Sequence, residues 1–358
     1  MEEAGTMNDV RPRPALAVVA VGGHALLCED AIGTPRDQAV AARKFTRCLV
    51  PLIREGYRVL LVHGNGPQVG RELLRSEEAS TKVPPRRLYG CVASTQGTMG
   101  YLLTQGLRNV LRSSGIKRPV STVLTQVLVS PDDPEFDAPT KPVGPFYTAW
   151  RARELTKSNG QRMVEDAGRG WRTVVPSPRP LDVMEIDSIE ALLDAEHIVI
   201  AGGGGGIPVS VDGRGNMRGV DGVVDKDRTA ALLANQLGAD IFVVLTAVEN
   251  VYVDFGRPGQ RALEHVTRDE LRAHATEGQF PVGSMGPKVE AALEFLDDGG
   301  ASVIITHAGK LTAALSDRAG TRISRDPASS GMRRQLPLFE GATDDDAITD
   351  DTYSTGDA

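Results

Sequence analysis

Short, continuous runs of apolar residues alternate along this chain with stretches of helical periodicity, and this alternation constrains the fold more than any other feature. A strand that is buried on both faces reads as a continuous apolar run, which is typical of parallel sheets covered by helices. Stretches 227–237 and 287–297 each place apolar residues on one helical face. The alternation therefore predicts an α/β fold built from βαβ units. The predicted buried strands are 15–21, 57–62, 120–129, 197–201, 241–246 and 301–306.

The composition supports a globular protein and excludes several classes of function. Of the 358 residues, 41% are hydrophobic and 4% aromatic, with 39 glycines, so the chain can bury a sizeable core of small aliphatic side chains. Because the formal net charge is −7 and basic stripes are missing, we expect no nucleic-acid partner. We find no signal peptide or membrane-spanning run, and we expect a cytoplasmic protein without membrane association. Three unpatterned cysteines, Cys28, Cys48 and Cys91, fit free thiols.

The two ends of the chain and one internal segment differ from the rest. Residues 1–14 lack apolar periodicity and are predicted to form a flexible leader, and the acidic tail 324–358 is predicted to be disordered. Segment 130–180 is rich in proline and turn residues, so it is predicted to be an insertion or lid outside the sheet. Within the helical stretch 37–55, Pro51 lacks a backbone donor, and we predict a kink or break there.

Four Gly-rich segments follow predicted strands and are the strongest indication of a ligand site. Glycine after a strand lets backbone N–H groups approach anionic oxygens, and a following helix N-terminus adds positive potential. In open α/β sheets, ligands bind at the carboxyl ends of the strands. Five consecutive glycines forfeit conformational entropy, which favours a functional loop over a flexible surface linker. The segments are Gly22-Gly23-His24, Gly64-Asn65-Gly66-Pro67, Gly202–Gly206 and Gly283-Ser284-Met285-Gly286-Pro287-Lys288.

Charged residues beside these segments predict phosphoryl-transfer chemistry, whose transition state is stabilised by positioned cations and N–H donors. Lys288 is predicted to stand in the first turn of a helix, where a cation indicates a bound anion, or else to be a plain surface lysine. The motif Asp225-Lys226-Asp227 combines a cation with carboxylates that orient it, help hold magnesium or cap the helix. Lys141, between two prolines in segment 130–180, either closes over a phosphate or is a solvated loop lysine.

Several other kinds of catalytic site are absent from the sequence. The six histidines are scattered and form no cluster with metal-ligand spacing. The chain also contains neither a Gly-x-Ser-x-Gly elbow nor a Walker A motif. These absences disfavour hydrolase and P-loop functions.

With these motifs, the chain resembles carbamate kinases of the amino acid kinase superfamily from about Ala15 to Ile323. The motifs that carry the resemblance are His63-Gly64-Asn65-Gly66-Pro67-Gln68-Val69-Gly70, Thr125-Gln126-Val127, Pro139-Thr140-Lys141-Pro142, Val175-Pro176-Ser177-Pro178, the glycine run before Ile207-Pro208, Asp225-Lys226-Asp227 and Gly283–Lys288. Two positions depart from the family pattern: His24 stands where the family has asparagine, and Gly202 where it usually has serine.

The resemblance implies a three-layer α/β/α sandwich around one mainly parallel sheet, with a small protruding lid subdomain near 130–180. It implies an N-terminal lobe for the acceptor over 15–195 and a C-terminal nucleotide-binding lobe over 196–323. Family members are homodimers that use ATP and Mg²⁺ to convert carbamate to carbamoyl phosphate, and they also run the reaction in reverse to make ATP at the end of arginine deimination.

The resemblance also implies roles for individual residues. The catalytic group would be Lys141, Lys226, Asp227 and Lys288. The residues implied to bind the acceptor and the transferring group are Gly22, Gly23, His24, Gly64, Asn65, Gly66, Gly204 and Gly205. Those implied to bind the nucleotide are Gly203, Gly206, Thr246, Val248, Val251, Tyr252, Gly283, Ser284, Met285 and Lys288. Mg²⁺ is expected to be held through the phosphates rather than directly by the protein. Asp227 is the optional direct ligand.

Two alternatives to carbamate kinase remain open at the level of sequence. His24 lies at the implied reaction centre, so a kinase of the same fold with a different small acceptor is the first alternative. A catalytically inactive nucleotide-sensing protein is the second. The complete set of three lysines and Asp227 argues against a sensor, because a sensor does not need cations converging on a transferable phosphate.

Overall fold

The computed structural model describes residues 13–22, 34–159, 161–166, 168, 170–281 and 283–326. Most of the predicted leader and tail, together with Cys28 and the predicted site residues Gly23 and His24, lie outside these ranges. The predictions for those residues therefore stay predictions.

Helices and strands alternate along most of the described chain. The helices are α1 (Pro35–Arg47), α2 (Val50–Arg54), α3 (Gly66–Glu78), α4 (Leu88–Ser113), α5 (Ala149–Asn159), α6 (Ile186–Asp194), α7 (Lys226–Gln236), α8 (Arg268–Thr276), α9 (Gly286–Asp297) and α10 (Leu311–Leu315). The strands are β1 (Leu16–Val21), β2 (Arg58–His63), β3 (Val120–Thr122), β4 (Gln126–Val129), β5 (Lys141–Tyr147), β6 (Met163–Glu165), β7 (Trp171–Val175), β8 (Pro180–Val183), β9 (Ile198–Ile200), β10 (Ile207–Val211), β11 (Met217–Gly219), β12 (Ile241–Thr246), β13 (Val251–Val253), β14 (Arg261–Leu263), β15 (His265–Thr267), β16 (Ser302–His307) and β17 (Thr321–Ser324).

Eight strands form the main sheet, in the order β15-β17-β16-β12-β1-β2-β9-β3. The six strands from β16 to β3 are parallel to one another. Only the edge pair differs, since β17 runs antiparallel to β16 and β15 runs parallel to β17. The predicted mainly parallel sheet is confirmed.

The central strand β1 shows why helices cover both faces of this sheet. All six of its residues are fully buried, and alternate residues point to opposite faces. Leu16, Val18 and Ala20 pack with residues of α6, α7, α8 and α9. Ala17, Val19 and Val21 pack with residues of α1, α2, α4 and α10. The result is three layers, α/β/α.

The predicted strand 120–129 is wrong as a single element. It is divided into β3, which belongs to the main sheet, and β4, which pairs with β10 and β8 in a separate four-stranded sheet. Gln96 of α4 binds both backbone polar groups of Thr125 and so draws the chain out of the main sheet. Because the residues between β3 and β4 are as apolar or β-branched as their neighbours, sequence periodicity does not reveal the division.

The predicted break near Pro51 is present, but it lies a few residues earlier. Helix α1 ends at Arg47 and α2 begins at Val50, so Pro51 occupies the first turn of α2. A proline is tolerated there because the first N–H groups of a helix have no intrahelical acceptor. The proline therefore starts a new helix rather than interrupting the old one.

Segment 130–180 contributes a three-stranded antiparallel sheet, β5-β7-β6, which we call the small sheet. It is separate from the main sheet, as the pattern of turn residues predicted. The small sheet is seated on α3, where Gly70 and Gly144 touch: a Cβ on Gly70 would lie 2.5 Å from the Cα of Gly144. Its function as a lid, and the division of the chain into two lobes, stay predictions.

None of the described helices combines the length and the apolar character that a bilayer-spanning segment requires.

Candidate active site

Three of the four Gly-rich segments meet at one edge of the main sheet. Gly22 follows β1, Gly64–Gly66 follows β2 and Gly202–Gly206 follows β9, and these strands are parallel neighbours. Their carboxyl ends therefore lie together. The prediction that Gly283–Lys288 also follows a strand is wrong. This segment comes after α8 and runs into the start of α9, and the N–H groups of Ser284 and Gly286 donate to the carbonyl of Pro281.

The run Gly202–Gly206 is buried and tightly packed along its whole length. A Cβ on Gly203 would lie 2.4 Å from Nε2 of His63, and a Cβ on Gly204 would lie 2.2 Å from Nδ2 of Asn65. Gly204 also has a φ of 66°, in the left-handed region that favours glycine. The flexible-linker alternative is therefore wrong, and close packing accounts for the missing side chains.

The glycine run also touches the start of α7. A Cβ on Gly205 would lie 2.2 Å from the carbonyl oxygen of Val224. Thr229 of α7 donates its hydroxyl to the carbonyl of Gly205 at 2.8 Å. The glycine run and the Asp225-Lys226-Asp227 motif are thus in direct contact, although separate strands position them.

Asn65 is buried in the turn between β2 and α3. Its amide nitrogen donates to Oγ1 of Thr95 at 2.8 Å, and Thr95 donates to the carbonyl of Val92, also on α4. Pro67 takes one of the first two positions of α3, where a proline is tolerated, and the Asn65 side chain does not cap the helix. The α3 N-terminus, with its positive potential, is therefore not occupied by a side-chain cap.

Gln96 and Thr125 hold the glycine run in place through a chain of hydrogen bonds, and no sequence motif indicated this role for them. Gln96 donates to the carbonyl of Thr125 at 3.0 Å and accepts from its N–H at 2.8 Å. The hydroxyl of Thr125 accepts from the N–H of Gly202 at 2.8 Å. A signal was present in α4, where the polar residues Thr95 and Gln96 occupy otherwise apolar buried positions.

Lys141 extends from the small sheet to the start of α7. Its Nζ donates to Oδ2 of Asp225 at 3.1 Å and to the carbonyl of Val224 at 3.2 Å. Oδ1 of Asp225 accepts from the N–H of Asp227 at 2.9 Å, so Asp225 is the predicted N-cap of α7. Burial opposes ionisation of Asp225, but Lys141 and Lys226 outweigh it and hold the pKa of this carboxyl well below its usual range.

Asp227 holds the other two predicted lysines. Its side chain is only 3% exposed, with Oδ1 2.6 Å from Nζ of Lys226 and Oδ2 3.5 Å from Nζ of Lys288. Lys288 stands in the first turn of α9, as predicted, and donates to the carbonyl of Ser284 at 3.0 Å. Burial lowers the pKa of Lys288, and the attraction of Asp227 opposes this only in part. The plain surface-lysine alternative is wrong, because this side chain is 16% exposed.

The structure therefore gathers three cations and two anions at one point beside the glycine loops. The excess of positive charge suits an anionic ligand, and backbone N–H groups of the loops supply further donors. The five residues come from the small sheet, the start of α7 and the start of α9: Lys141, Asp225, Lys226, Asp227 and Lys288.

Comparison with known proteins places this arrangement in a family. A sequence profile described as the amino acid kinase family matches residues 15–307. The chain belongs to the amino acid kinase family.

Carbamate kinases are among the proteins to which this chain is similar. Carbamate kinase 3 of Staphylococcus aureus is 46% identical over 309 residues, which are 86% of this chain and 98% of that protein. A carbamate kinase-like protein of Escherichia coli is 45% identical over 311 residues, covering 86% of this chain and 98% of that protein. The resemblance inferred from the motifs is thereby confirmed.

Solved structures agree with the sequence comparison. The carbamate kinase of Giardia lamblia bound to AMP-PNP superimposes with a TM-score of 0.81 at 40% identity, covering 87% of this chain and 99% of that one. The same enzyme bound to citric acid gives a TM-score of 0.82. The predicted α/β/α fold class is confirmed.

The residues that the family resemblance assigns to the nucleotide are not equally accessible. Thr246 ends β12, and Val248 follows it on the partly exposed connection to β13. Val251 is fully buried in the core beneath the main sheet, so only its backbone can face a ligand. Tyr252 is half-buried, and its ring lies 5.8 Å from that of Phe255, an exposed residue that no motif indicated.

The carboxylates of this kinase site are poorly suited to hold a metal ion by themselves. Within the described ranges, no group of three or more His, Cys, Asp or Glu residues has metal-binding geometry. Asp225 binds Lys141, and both oxygens of Asp227 face lysines. This donor set fits a magnesium ion that is held chiefly through nucleotide phosphates, as is usual for Mg²⁺.

Proposed function

We propose that this chain is a carbamate kinase, which transfers a phosphoryl group reversibly between ATP and carbamate to give ADP and carbamoyl phosphate. The observation that carries the proposal is the convergence of Lys141, Lys226 and Lys288 on Asp225 and Asp227, beside the glycine loops of β2 and β9. The similarity to carbamate kinases over 86% of the chain supports the choice of acceptor.

In this proposal, the glycine loops bind the two substrates on either side of the lysines. The acceptor and the transferring group lie against Gly22, Gly64, Asn65, Gly66, Gly204 and Gly205, together with Gly23 and His24. The nucleotide lies against Gly203 and Gly206, residues of the connection after β12 and the segment Gly283–Met285. The positive ends of α3 and α9 favour the anionic groups.

The chemical step needs charge neutralisation more than covalent participation by the protein. A carbamate oxygen attacks the γ-phosphorus of ATP, the bond between this phosphorus and the β,γ-bridging oxygen breaks, and ADP leaves with the bonding electrons. Lys141 and Lys226 neutralise the transferring group from two sides, and Lys288 neutralises the outer phosphates. Asp227 orients Lys226 and Lys288. Magnesium bound to the nucleotide would neutralise part of the phosphate charge.

We also propose that the enzyme is a cytoplasmic homodimer, as the family resemblance implies. The described surface offers exposed apolar side chains for such a contact on α4 and on the segment after β3, namely Tyr101 at 61% and Leu124 at 55% exposure. Light scattering at micromolar concentration tests the proposal. A monomeric mass would contradict it.

The decisive experiment measures ATP formation from carbamoyl phosphate and ADP in a coupled assay, with and without magnesium. We expect saturable, magnesium-dependent ATP formation. In the opposite direction, a panel of small acceptors, including carbamate, acetate and phosphonates, should show preference for carbamate. ATP consumption with another acceptor and none with carbamate would contradict the proposal and favour the alternative suggested by His24.

A further inference from the structure

Asp225 connects two parts of the chain that each carry a predicted catalytic lysine. It caps α7 through Oδ1, immediately before Lys226, and it binds Lys141 of the small sheet through Oδ2. The sequence indicated a helix cap, a general orienting role or help in holding magnesium for this residue. The structure shows one carboxylate that fixes both the start of α7 and the side chain of a lysine 84 positions away.

The ion pair between Lys141 and Asp225 is better placed to fix geometry than an ordinary surface pair. The side chains are 25% and 23% exposed, so water competes less for the charges than it does at the surface. The ammonium also donates to the carbonyl of Val224, the residue that abuts Gly205 of the glycine run. An ammonium group has three donors, and these two contacts leave one for an oxygen of a ligand.

The small sheet fixes the backbone position of Lys141, but it does not fix the position of the ammonium group at the end of the side chain. The backbone of β5 is seated by the contact of Gly144 with Gly70 and by the packing of Val143 in a cluster with Val69 and Val223. Lysine has four rotatable side-chain bonds and considerable rotamer entropy. A fixed acceptor at the far end is therefore needed to select one direction for the side chain.

We propose that Asp225 is a positioning residue, which anchors the ammonium group of Lys141 at the start of α7 and so presents it to the transferring phosphoryl group. This inference rests on the proposed function. It assigns to Asp225 a part in catalysis that acts through Lys141. A residue that only caps α7 would not need its second oxygen.

The substitution Asp225→Asn separates the two roles. Asparagine is as good an N-cap as aspartate, since its carbonyl oxygen still accepts from the backbone N–H. Its NH₂ group, however, replaces the oxygen that accepts from Lys141, and donor would face donor. We expect kcat to fall by about tenfold or more, with the KM for ADP changed less than about twofold.

A double-mutant cycle identifies the residue through which Asp225 acts. In a Lys141→Met background, Asp225→Asn should cause no further loss of kcat, because its partner is already absent. Asp133→Asn is the matched control, since Asp133 also accepts from an N–H two residues ahead, at the start of a single 3₁₀ turn (Pro134–Phe136), and accepts from the N–H of Arg179, yet binds no lysine of the described chain. This control should keep the wild-type kcat within about twofold.

Two kinetic outcomes would overturn the proposal. A wild-type kcat for Asp225→Asn would leave the residue as a helix cap only. An equal loss of kcat in the wild-type and Lys141→Met backgrounds would show that Asp225 acts independently of Lys141. Melting temperatures of all variants, compared with the Asp133→Asn control, identify any loss that comes from unfolding.

Hydrogen exchange distinguishes failure of this inference from failure of the proposed function. Without substrates, Asp225→Asn should accelerate exchange of the backbone amide of Lys141, the first residue of β5, because this residue precedes the seated residues Val143 and Gly144 and loses its anchor. If exchange were faster in Asp225→Asn but the wild type made no ATP from carbamoyl phosphate, the anchoring role of Asp225 would stand and the carbamate kinase function would be rejected. If the wild type were active and Asp225→Asn changed neither exchange nor kcat, only the anchoring role of Asp225 would be rejected.

Discussion

Asn65 and Gly204 lie so close together that a methyl group on Gly204 would be 2.2 Å from the amide nitrogen of Asn65. The first residue follows β2 and the second follows β9, so this contact fixes two loops of the site against each other. The Asn65 side chain is held on its other side by Thr95 of α4. Two glycine loops and a helix therefore form one rigid unit, as preorganised catalysis requires.

We predict that Gly204→Ala lowers both stability and activity. The new methyl group meets a buried amide, and alanine is strained at a φ of 66°. The free energy of unfolding should fall by about 2–4 kcal/mol, and kcat should fall because Asn65 must move. Urea denaturation and the coupled assay measure the two effects.

Gly213→Ala is the control for this substitution. Gly213 lies in the turn between β10 and β11, a Cβ there meets nothing within 4 Å, and its φ is not in the left-handed region. Its stability and activity should equal those of the wild type. A Gly204→Ala protein that behaved like this control would show that the contact with Asn65 is easily relieved.

We predict that Lys226→Ala and Lys288→Ala each lower kcat by about two orders of magnitude or more, because each removes a preorganised charge from the transferring phosphate. Each variant also leaves Asp227 with one lysine partner instead of two, and that partner keeps the buried carboxylate paired. Both variants should therefore fold. Lys82→Ala, at an exposed lysine, is the control. If Lys226→Ala or Lys288→Ala had the same kcat as this control, the role assigned to that lysine would be wrong.

The sequence predicted the parallel strands from β16 to β3 well because buried parallel strands have a distinctive pattern, but it did not predict the short, partly buried edge strands β15 and β17. Apart from β3 and β4, the strands predicted for this sheet agree with the observed strands to within about one or two residues at each end. The pattern could not show that β3 and β4 belong to different sheets. That division depends on Gln96, which reaches Thr125 from a separate helix. Tertiary hydrogen bonds of this kind leave no periodic signal in the strand itself.

The sequence located the candidate site better than it explained it. Motifs named the three lysines and the glycine run, and the structure brings them together. The sequence favours ligand binding over a flexible linker as the reason for the glycine run, but His63, Asn65 and Val224 also pack against it so closely that side chains are excluded. Contacts between residues far apart in the chain, such as Lys141 with Asp225, can be seen only once the fold is known.

We predict that the protein loses stability in acid because His63 is buried. Burial lowers the pKa of this histidine from 6.5 to about 4. Since the folded pKa is below the unfolded value, unfolding takes up a proton in the window between them, and stability is lost as the pH falls from 6.5 towards 4. The contribution of this residue reaches about 3 kcal/mol at the acid end.

Urea denaturation between pH 7 and pH 4 tests the contribution of His63, provided that a matched variant removes the effect of other titrating groups. His63→Asn should show a shallower loss of stability over this window than the wild type. His265→Asn, at an exposed histidine, should follow the wild-type curve. Parallel curves for wild type and His63→Asn would contradict the prediction.

The last prediction concerns the seat of the small sheet on α3, where two backbones touch at Gly70 and Gly144. A Cβ on Gly70 would lie 2.5 Å from the Cα and 2.6 Å from the nitrogen of Gly144. Both are backbone atoms, which cannot move away by a side-chain rotation. Gly70→Ala should therefore force β5 away from α3 and carry Lys141 away from Asp225. We expect stability to fall by about 2 kcal/mol or more and kcat to fall with it.

Gly97→Ala gives the matched control, since Gly97 also lies inside a helix, is exposed, and has nothing within 4 Å of a new Cβ. Alanine is the better helix former, so this variant should be more stable than the wild type by about 0.5–1 kcal/mol, with unchanged kcat. Opposite signs for two identical glycine-to-alanine changes in helices would locate the cost of Gly70→Ala in the contact with Gly144. If Gly70→Ala were also stabilising and fully active, the small sheet would not depend on this seat.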